Sequence, residues 1–455
     1  MVSLGEYGSP LLAGTRKIHP LCRSRGSPFR AREIIAACEE NQLRILTFTS
    51  LFPNGVRPVL GVFVFQRLSH LSRRPGNEVE VIAPVPYFPR WLRFSRWQKE
   101  GQVPREERMG GLTVHHPRYL LLPKVSMPMH GLLMFLGSWR LARKLHRENP
   151  IDCIDGHFIY PDCFAAVLLG KLLKVPVVVS ARGTDINLYP SFRLIRPMVR
   201  WTLSNAAGVI SVSRSLGRAI AGLGFPQDRV RVIGNGIDPT RFNPVDPREA
   251  RTRLNLPQTG PIVVSVGGLI PRKGFHFLIP ALAQIAPQFP GLRLYILGEG
   301  EYRAKLESLA REFGIQDHVF LPGNIPNEEL RYWFSASTVS CLVSSREGWP
   351  NVLQESLACG TPVVATNLWG APEVIVSPDL GLLVEQNVEA IAAALHVALN
   401  KTWDRTGIAR HAGQRTWEVV ADELGDYLSS IISEWHGGSQ AASSQGSPVP
   451  QDREG

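Results

Sequence analysis

Residues 345–366 read SREGWPNVLQESLACGTPVVAT, and local signals in this stretch predict how the chain folds around it. Pro350 suits the first position of a helix, where a missing backbone N–H costs nothing. A helix is predicted over about residues 351–359, ending at Gly360, because glycine is common just beyond a helix C-terminus. The preceding run TVSCLVSS, at 338–345, predicts a strand. The stretch therefore predicts a strand–loop–helix unit with its loop at the carboxyl end of the strand.

Short apolar runs alternate with helical patterns along most of the chain. The first half contains LRILTFTS, VEVIAP, IDCIDGH, PVVVSA, AAGVISVS and RVRVIGNG, and the second half contains PIVVSVGG, LRLYILG, HVFLPG, TVSCLVSS and TPVVAT. Continuous apolar strands separated by helices are typical of parallel sheets that are covered on both faces. Two such series predict two Rossmann-like, doubly wound α/β domains, joined near 236–261, with a ligand cleft between them.

The chain divides into five predicted segments. Residues 1–40 and 437–455 are irregular in pattern, and we predict a disordered leader and a disordered tail there. The first α/β domain is predicted over 41–238 and the second over 239–408. The apolar spacing of TWEVVADELGDYLSSIISEW predicts a helix within the remaining segment, 409–436.

Charge is distributed unevenly over the 455 residues, whose net charge is +11. Residues 41–235 hold 27 Lys and Arg against 11 Asp and Glu, a net charge of +16, whereas residues 236–435 hold 16 against 22, a net charge of −6. Such a basic half indicates an anionic partner, either nucleic acid or a membrane surface.

The six cysteines form no CxxC pair and no zinc spacing, which suits reduced thiols in the cytoplasm. The sequence contains no run of about eighteen apolar residues, so it predicts no membrane span.

The predicted helix start at residue 351 can hold an anion, because the first N–H groups of a helix have no partner within it. Glu347 lies in the loop before this helix and Glu355 in its second turn. A ligand with phosphate and hydroxyl groups would use all three features, since carboxylates accept hydrogen bonds from hydroxyls. The alternative is a helix with two solvated acids near its positive end, which stabilise it modestly.

The same stretch, Glu347 to Glu355 with its helix and GTPVVAT, resembles the nucleotide-sugar signature of retaining family 4 glycosyltransferases, of the group 1 type. The resemblance covers about residues 43–435 and implies the GT-B fold, in which two Rossmann-like domains face each other across a cleft. It implies that Glu355 binds the ribose hydroxyls of the nucleotide and that Glu347 contacts the transferred sugar. Backbone amides of Asn351 and Val352 are expected at the diphosphate or the sugar.

A second segment, VVSVGGLIPRKGFHFLIPAL, predicts a strand, a loop containing Gly268, and a helix. Arg272 and Lys273 would face the cleft, where two cations can stabilise a leaving diphosphate. The alternative is an exposed Arg-Lys pair before a helix. The segment resembles the RKG motif of the family, which implies a catalytic role for both cations and a donor-binding role for Gly268. HVFLPGNIPNEEL resembles the family segment whose backbone, here at Ile325, faces the nucleobase.

Candidate residues in the first half lie at strand ends and in the first loop. A histidine such as His157 in IDCIDGH is most often structural, but its position matches the family histidine beside the donor sugar at the reaction centre. Asp185 in GTDI matches the HGxD motif on the acceptor side, where Arg182 replaces the histidine. TSLFPNGVRPVLGVFVFQRL resembles the first loop, which implies that Gly61 approaches the phosphates. The helix in 409–436 is expected to cross back to the first domain.

The resemblance implies transfer of a hexosyl unit from a nucleotide-diphosphate sugar to a hydroxyl of a glycan or lipid-linked saccharide, with retention of the anomeric configuration. It indicates assembly of cell-surface polysaccharide. No DxD triplet occurs, so we expect neither a metal ion at the diphosphate nor a cofactor. Arg272, Lys273 and the amides near Asn351 would take the place of the metal ion.

Two neighbouring stretches indicate contact with an anionic membrane. Residues 87–99, YFPRWLRFSRWQK, combine aromatic and basic side chains without an acid, and residues 123–144 are rich in Met and Leu before a basic end. Near such a surface each Lys or Arg contributes about 1 kcal/mol. A core helix beside a basic loop is the alternative. We expect no nucleic acid, because no recognition motif occurs. The protein is therefore expected in the cytoplasm and, peripherally, on the inner face of the cell membrane.

Two other functions stay open on the sequence alone. A sugar-nucleotide 2-epimerase with the same GT-B scaffold would need no second saccharide. A non-catalytic basic protein that binds membrane or nucleic acid would tolerate loss of the Glu347–Glu355 pair and of the Arg272–Lys273 pair. Both pairs are present.

Overall fold

The computed structural model describes residues 43–87, 99–121 and 127–444. The predicted leader at 1–40 lies outside these ranges, as do most of the aromatic and basic stretch and the last eleven residues of the predicted tail. Among the described helices, none is both long enough and apolar enough to cross a membrane.

The first domain is built on two groups of strands. In chain order its strands are Leu43–Phe48 (β1), Asn77–Ile82 (β2), Val85–Tyr87 (β3), Glu106–Met109 (β4), Leu112–His115 (β5), Arg118–Leu120 (β6), Cys153–His157 (β7), Val177–Ala181 (β8), Gly208–Ser211 (β9) and Val230–Val232 (β10). Within the described residues, eight of them form one sheet in the order β10-β9-β8-β7-β1-β2-β5-β4. This sheet is parallel except for the pair β4–β5, and β3 pairs with β6 separately.

Helices cover both faces of the first sheet. They are Val62–Leu71 (α1), His130–Glu148 (α2), Phe164–Leu173 (α3), Thr184–Asn187 (α4), Arg196–Asn205 (α5) and Arg214–Ala221 (α6). Successive residues of a strand point to opposite faces, and Ile45 and Leu46 of β1 accordingly belong to two different apolar clusters, one on each side. Because both faces are buried, the strand has apolar residues at consecutive positions such as Ile45 and Leu46 rather than a strict apolar–polar alternation.

The second domain repeats this arrangement with a parallel sheet. Its strands are Ile262–Val266 (β11), Arg293–Leu297 (β12), Val319–Gly323 (β13), Val339–Leu342 (β14), Val363–Thr366 (β15) and Gly381–Val384 (β16), in the order β13-β12-β11-β14-β15-β16. Its helices are Pro247–Arg253 (α7), Phe275–Ile285 (α8), Arg303–Glu312 (α9), Leu330–Ala336 (α10), Asn351–Ala358 (α11), Ala371–Val374 (α12), Val388–Asn400 (α13) and Arg405–Ala412 (α14). Apolar clusters lie on both faces of this sheet as well. The prediction of two doubly wound domains is therefore confirmed.

The last helix, Trp417–Ser444 (α15), returns to the first domain, as predicted for this fold. Val420, Leu424 and Leu428 are fully buried in the apolar cluster that contains Ile45 and Val178 of the first sheet. The terminal helix therefore ties the end of the chain to the domain at its beginning.

The predicted bounds of this last segment differ from the structure. One helix ends at Ala412, and the next begins at Trp417 and runs into the predicted tail as far as Ser444. Between the two helices the chain turns at Gly413 and Gln414 and then pairs with a distant segment, where Ile237 donates its N–H to the Arg415 carbonyl at 2.9 Å. This pairing between distant parts of the chain leaves no pattern in the local sequence.

Candidate active site

Two adjoining cavities lie between the domains, at the carboxyl ends of the sheets. The first, of about 270 Å³, is lined by the loops that follow β8, β11 and β14. The second, of about 370 Å³, is lined by Ile325 and Glu355 of the second domain. Phe63, Asn351 and Val352 line both cavities. The cavities are therefore parts of one cleft, and the start of helix α11 lies where they meet.

The start of helix α11 lies where the sequence of residues 345–366 predicts it. The helix runs from Asn351 to Ala358 after Pro350, and no side chain caps its first turn. Uncapped N–H groups at a helix start carry partial positive charge and favour an anion. The meeting point of the two cavities is therefore electropositive.

Two cations and one carboxylate stand together in the first cavity. Lys273 Nζ donates to Glu347 Oε1 at 2.7 Å, and Arg272 Nη1 lies 3.6 Å from Glu347 Oε2. The side chains of Lys273 and Glu347 are 14% and 15% exposed, whereas that of Arg272 is 35% exposed. Lys273 is therefore the more shielded of the two cations, and its charge acts in a less polar environment.

The two loops that carry these groups are locked to each other. Ser345 donates its N–H to the Arg272 carbonyl at 2.9 Å. Gly274 adopts a left-handed conformation with φ of 74°, and a Cβ at this position would collide with the Val343 carbonyl oxygen. The glycine that follows the Arg-Lys pair is therefore required for the close approach of the two loops.

The second cavity places Glu355 among mainly apolar neighbours. Burial raises the pKa of Glu355 to about 7, although the positive charge of Arg241 acts in the opposite direction. Ile325 lies in the same cavity and packs against the apolar cluster below it. In its ionised form this carboxylate can accept hydrogen bonds from the hydroxyl groups of a ligand.

His157 and Asp185 lie beneath the wall of the cleft rather than in it. Both side chains are fully buried, and neither lines the two cavities. Asp185 accepts N–H groups of Ile159, Arg182 and Gly183 at 2.7–3.2 Å. The contacts with sugar or acceptor that the resemblance implies for these two side chains therefore stay predictions, and in this structure both side chains lie behind the cavity walls.

The His157 ring supports Arg182. The Nη2 group of Arg182 donates to His157 Nδ1, so the ring proton is on Nε2, which lies 3.0 Å from an Asp155 carboxylate oxygen. Burial and the charge of Arg182 lower the pKa of His157 to about 4, although Asp155 acts in the opposite direction. His157 is therefore neutral at pH 7 and acts as an acceptor that fixes the guanidinium group.

Gly61 and Gly268 shape turns beside the cleft without lining either cavity. Gly61 begins helix α1 with φ of 63°, and a Cβ there would collide with the Leu51 carbonyl oxygen. The turn at Gly61 brings Phe63, two residues later, into the cleft. Gly268 accepts the N–H of Ile270 at 2.8 Å and stands before the Arg-Lys loop.

Direct contacts hold the two domains together around the cleft. Asn235 Nδ2 donates to Asn351 Oδ1 at 2.9 Å. The carboxylate of Glu373 accepts the first N–H groups of helix α6, from Arg214 at 2.8 Å and Ser215 at 3.1 Å. Gly348 packs so closely on the Arg182 carbonyl that a Cβ would collide with it. The cleft is therefore closed at the end that contains Glu347.

The sequence assigned no site role to several lining residues, among them Phe63, Asn235 and Arg346. Asn235 follows strand β10 at its carboxyl end, and this position could have identified it as a cleft residue. Phe63 and Arg346 adjoin predicted site residues in the sequence, but no local pattern distinguishes a lining side chain from a core or surface one.

The chain is similar to known proteins over nearly its whole described length. Residues 246–415 match the family model for glycosyl transferases group 1, and residues 61–241 match that for glycosyltransferase family 4. D-inositol 3-phosphate glycosyltransferase of Acidothermus cellulolyticus is 32% identical over 82% of this chain and 86% of that protein. The putative teichuronic acid biosynthesis glycosyltransferase TuaC of Bacillus subtilis is 26% identical over 84% of this chain and 92% of that protein. Sucrose-phosphate synthase from Thermosynechococcus elongatus superimposes with a TM-score of 0.70 at 22% identity, over 86% of this chain and all of that one.

Proposed function

Because the chain belongs to family 4 of the glycosyltransferases and has the GT-B fold, we propose that it transfers a hexosyl unit from a nucleotide-diphosphate sugar to a hydroxyl of a glycan or lipid-linked saccharide, with retention of the anomeric configuration. The observation that carries the proposal is the group formed by Lys273, Arg272 and Glu347 beside the uncapped start of helix α11. It provides positive charge for a diphosphate and a hydrogen-bond acceptor for a sugar hydroxyl in one cavity.

The donor would lie along the cleft with its base at Ile325. Glu355 would accept hydrogen bonds from the ribose hydroxyls, and the diphosphate would then reach the amides of Asn351 and Val352, where the two cavities meet. The sugar would lie beside Glu347. This order follows the cleft from its apolar cavity to its charged one, and each part of the donor meets groups of matching chemistry.

The cations would act mainly as the bond to the sugar breaks. Negative charge then develops on the leaving diphosphate, and fixed cations that face this charge stabilise the transition state more than the ground state. Lys273 and Arg272 would supply this stabilisation without a metal ion. A leaving-phosphate oxygen would take the proton from the acceptor hydroxyl, so the new bond forms on the face that the nucleotide leaves.

The names of the relatives support a role in the cell envelope. One is named for teichuronic acid biosynthesis, and another relative, 27% identical over 406 residues, is a phosphatidylinositol monomannoside mannosyltransferase of Mycobacterium tuberculosis. We place this chain in the assembly of cell-surface polysaccharide, in the cytoplasm and at the inner face of the membrane.

An exposed face of helix α2 supports membrane contact. Leu132 and Leu136 are 41% and 53% exposed one turn apart, and the exposed Arg143 and Arg147 follow on the same helix. Exposed leucines beside basic side chains suit an anionic lipid surface. The protein should sediment with phosphatidylglycerol vesicles at low salt and be released at high salt, whereas an equally charged DNA duplex should not compete. Sedimentation that DNA abolishes would contradict the membrane assignment.

The proposed transfer is tested with a panel of labelled sugar nucleotides and a cell-envelope extract as acceptor. One donor should give a labelled saccharide together with free nucleoside diphosphate, and NMR of the product should show the anomeric configuration of the donor. An inverted product would contradict retention. Conversion of the donor sugar to its C2 epimer without any acceptor would identify an epimerase instead.

A further inference from the structure

Arg182 occupies the place where the family motif has histidine, and it lines the first cavity from the side of the first domain. It follows strand β8 directly, and its backbone N–H is held by Asp185. The residue is only 9% exposed, and its guanidinium carbon lies 5.6 Å from the centre of the Phe63 ring. Arg182 is therefore a fixed part of the cavity wall.

The guanidinium group of Arg182 has unused hydrogen-bonding capacity. Nη2 donates to His157, but Nε and Nη1 are buried and find no acceptor among the described residues. No described carboxylate forms an ion pair with its guanidinium nitrogens within 4 Å, although the charges of Asp155 and Asp185 act on the group from a greater distance and raise its pKa. Burial and the neighbouring charge of Arg67 lower the pKa of Arg182 to about 9, so the group is still a cation at neutral pH. Buried N–H donors of a cation without acceptors are costly, and a ligand oxyanion would satisfy them.

The charge of the cavity also exceeds what the donor needs. The described residues that line it include four cations, Arg182, Arg272, Lys273 and Arg346, and one carboxylate, Glu347, a net charge of +3. A sugar nucleotide carries one negative charge on each of its two phosphates. The Arg-Lys pair and helix α11, all in the second domain, match these two charges. The charge of Arg182, on the first-domain side, is not needed for either phosphate of the donor, and the buried carboxylates of Asp155 and Asp185 act on it from beneath the cavity wall.

We propose that Arg182 binds a negatively charged group, a phosphate or carboxylate, on the acceptor and thereby selects anionic acceptors. The inference rests on the proposed function, because it assigns the first-domain side of the cavity to the acceptor. Histidine at this position would be neutral or weakly charged at pH 7, whereas arginine offers a permanent charge and a planar pair of donors. The substitution would therefore change which acceptors bind, while the donor site stays the same.

The test uses protein saturated with the nucleoside diphosphate that it binds, titrated with glucose 6-phosphate, glucuronate and uncharged glucose. The anionic probes should bind the wild-type protein about 10- to 100-fold more tightly than glucose, as expected for charge-assisted hydrogen bonds. Arg182→Gln and Arg182→His should abolish this preference, Arg182→Lys should retain part of it, and the exposed control Arg311→Gln should keep all of it.

Separate outcomes distinguish failure of this inference from failure of the proposed function. Equal affinity of the wild-type protein for charged and uncharged probes, or a preference that survives in Arg182→Gln, would overturn the inference while nucleoside diphosphate still binds. If Arg182 instead affected only the preference for UDP-glucuronate over UDP-glucose, the negatively charged group would belong to the donor. This result would also overturn the inference. Absence of nucleoside diphosphate binding in the wild-type protein would count against the proposed function itself. Unchanged nucleoside diphosphate affinity in the variants shows that they are folded.

Discussion

Glu355 should make the affinity for a sugar nucleotide depend on pH near neutrality. Burial raises its pKa to about 7 in the free protein. The carboxylate is then ionised in roughly one molecule in ten at about pH 6 and in roughly nine in ten at about pH 8. Ribose hydroxyls donate more strongly to the ionised form. Affinity should therefore rise about tenfold over this interval, since only the fraction in the competent state contributes.

Titration calorimetry with an intact sugar nucleotide measures this change. Both phosphates of such a donor are esterified, so the ligand itself does not titrate in this range. Glu355→Gln keeps the size of the side chain and one acceptor oxygen but cannot ionise, and its affinity should be the same at both pH values. An affinity of the wild-type protein that does not change with pH, or an equal slope in Glu355→Gln, would refute the assigned contact.

Because of the raised pKa of Glu355, a rise in pH lowers the stability of the free protein, whereas it increases the affinity for the sugar nucleotide. The folded pKa of Glu355 lies above its ordinary value of 4.5, so its contribution to the free energy of unfolding is fully present below about pH 4.5 and is lost as pH rises through about 7. A bound sugar nucleotide compensates for this loss. The increase in melting temperature that the ligand produces should therefore be larger at about pH 8 than at about pH 6.

Four further substitutions test the charged cavity and the closure around it. Lys273→Ala should lower kcat by about 10²- to 10³-fold, the usual loss when one fixed electrostatic group is removed. Arg272→Ala should lower kcat less, because Arg272 is more exposed than Lys273. The exposed control Lys305→Ala should leave kcat unchanged. An unchanged kcat in Lys273→Ala would remove this residue from the mechanism. Gly348→Ala should cost the closed form about 1–3 kcal/mol by overpacking and lower kcat at an almost unchanged melting temperature, whereas full activity would show that closure is not needed. Glu373→Ala removes a cap between the domains and should raise the KM for the donor by several fold, from a loss of about 0.5–2 kcal/mol; an unchanged KM would show that this contact does not hold the closed form.

Much of the fold could be predicted because its signals are local. Pro350 and Gly360 mark the ends of one helix, and the structure places that helix at Asn351–Ala358. Strands such as Val339–Leu342 are short apolar runs, and their carboxyl ends point to the cleft. The same rule predicts that the loops carrying Lys273 and Glu347 face one cleft. Their contact at 2.7 Å agrees with that expectation.

Other features of the site depend on packing between distant segments. His157 is the last residue of strand β7, as a cleft residue could be, but its side chain is fully buried against Arg182. The hydrogen bond from Asn235 to Asn351 joins the two domains through residues that are 116 positions apart in sequence. The terminal helix begins late because the preceding residues pair with Ile237. None of these contacts leaves a periodic pattern or a turn signal in the residues that make it.

The central claim is that the cleft binds the diphosphate of a sugar nucleotide between the Arg-Lys loop and the start of helix α11. Thermal unfolding with UDP-, GDP-, ADP- and dTDP-sugars tests it most directly, because a ligand at about 100 times its Kd adds about 2.7 kcal/mol to the free energy of unfolding. At least one of these donors should raise the melting temperature of the wild-type protein by a few degrees, and the shift should be much smaller in a variant that combines Lys273→Ala with Glu355→Ala. A melting temperature that no donor changes at millimolar concentration, or an equal shift in the double variant, would contradict the claim.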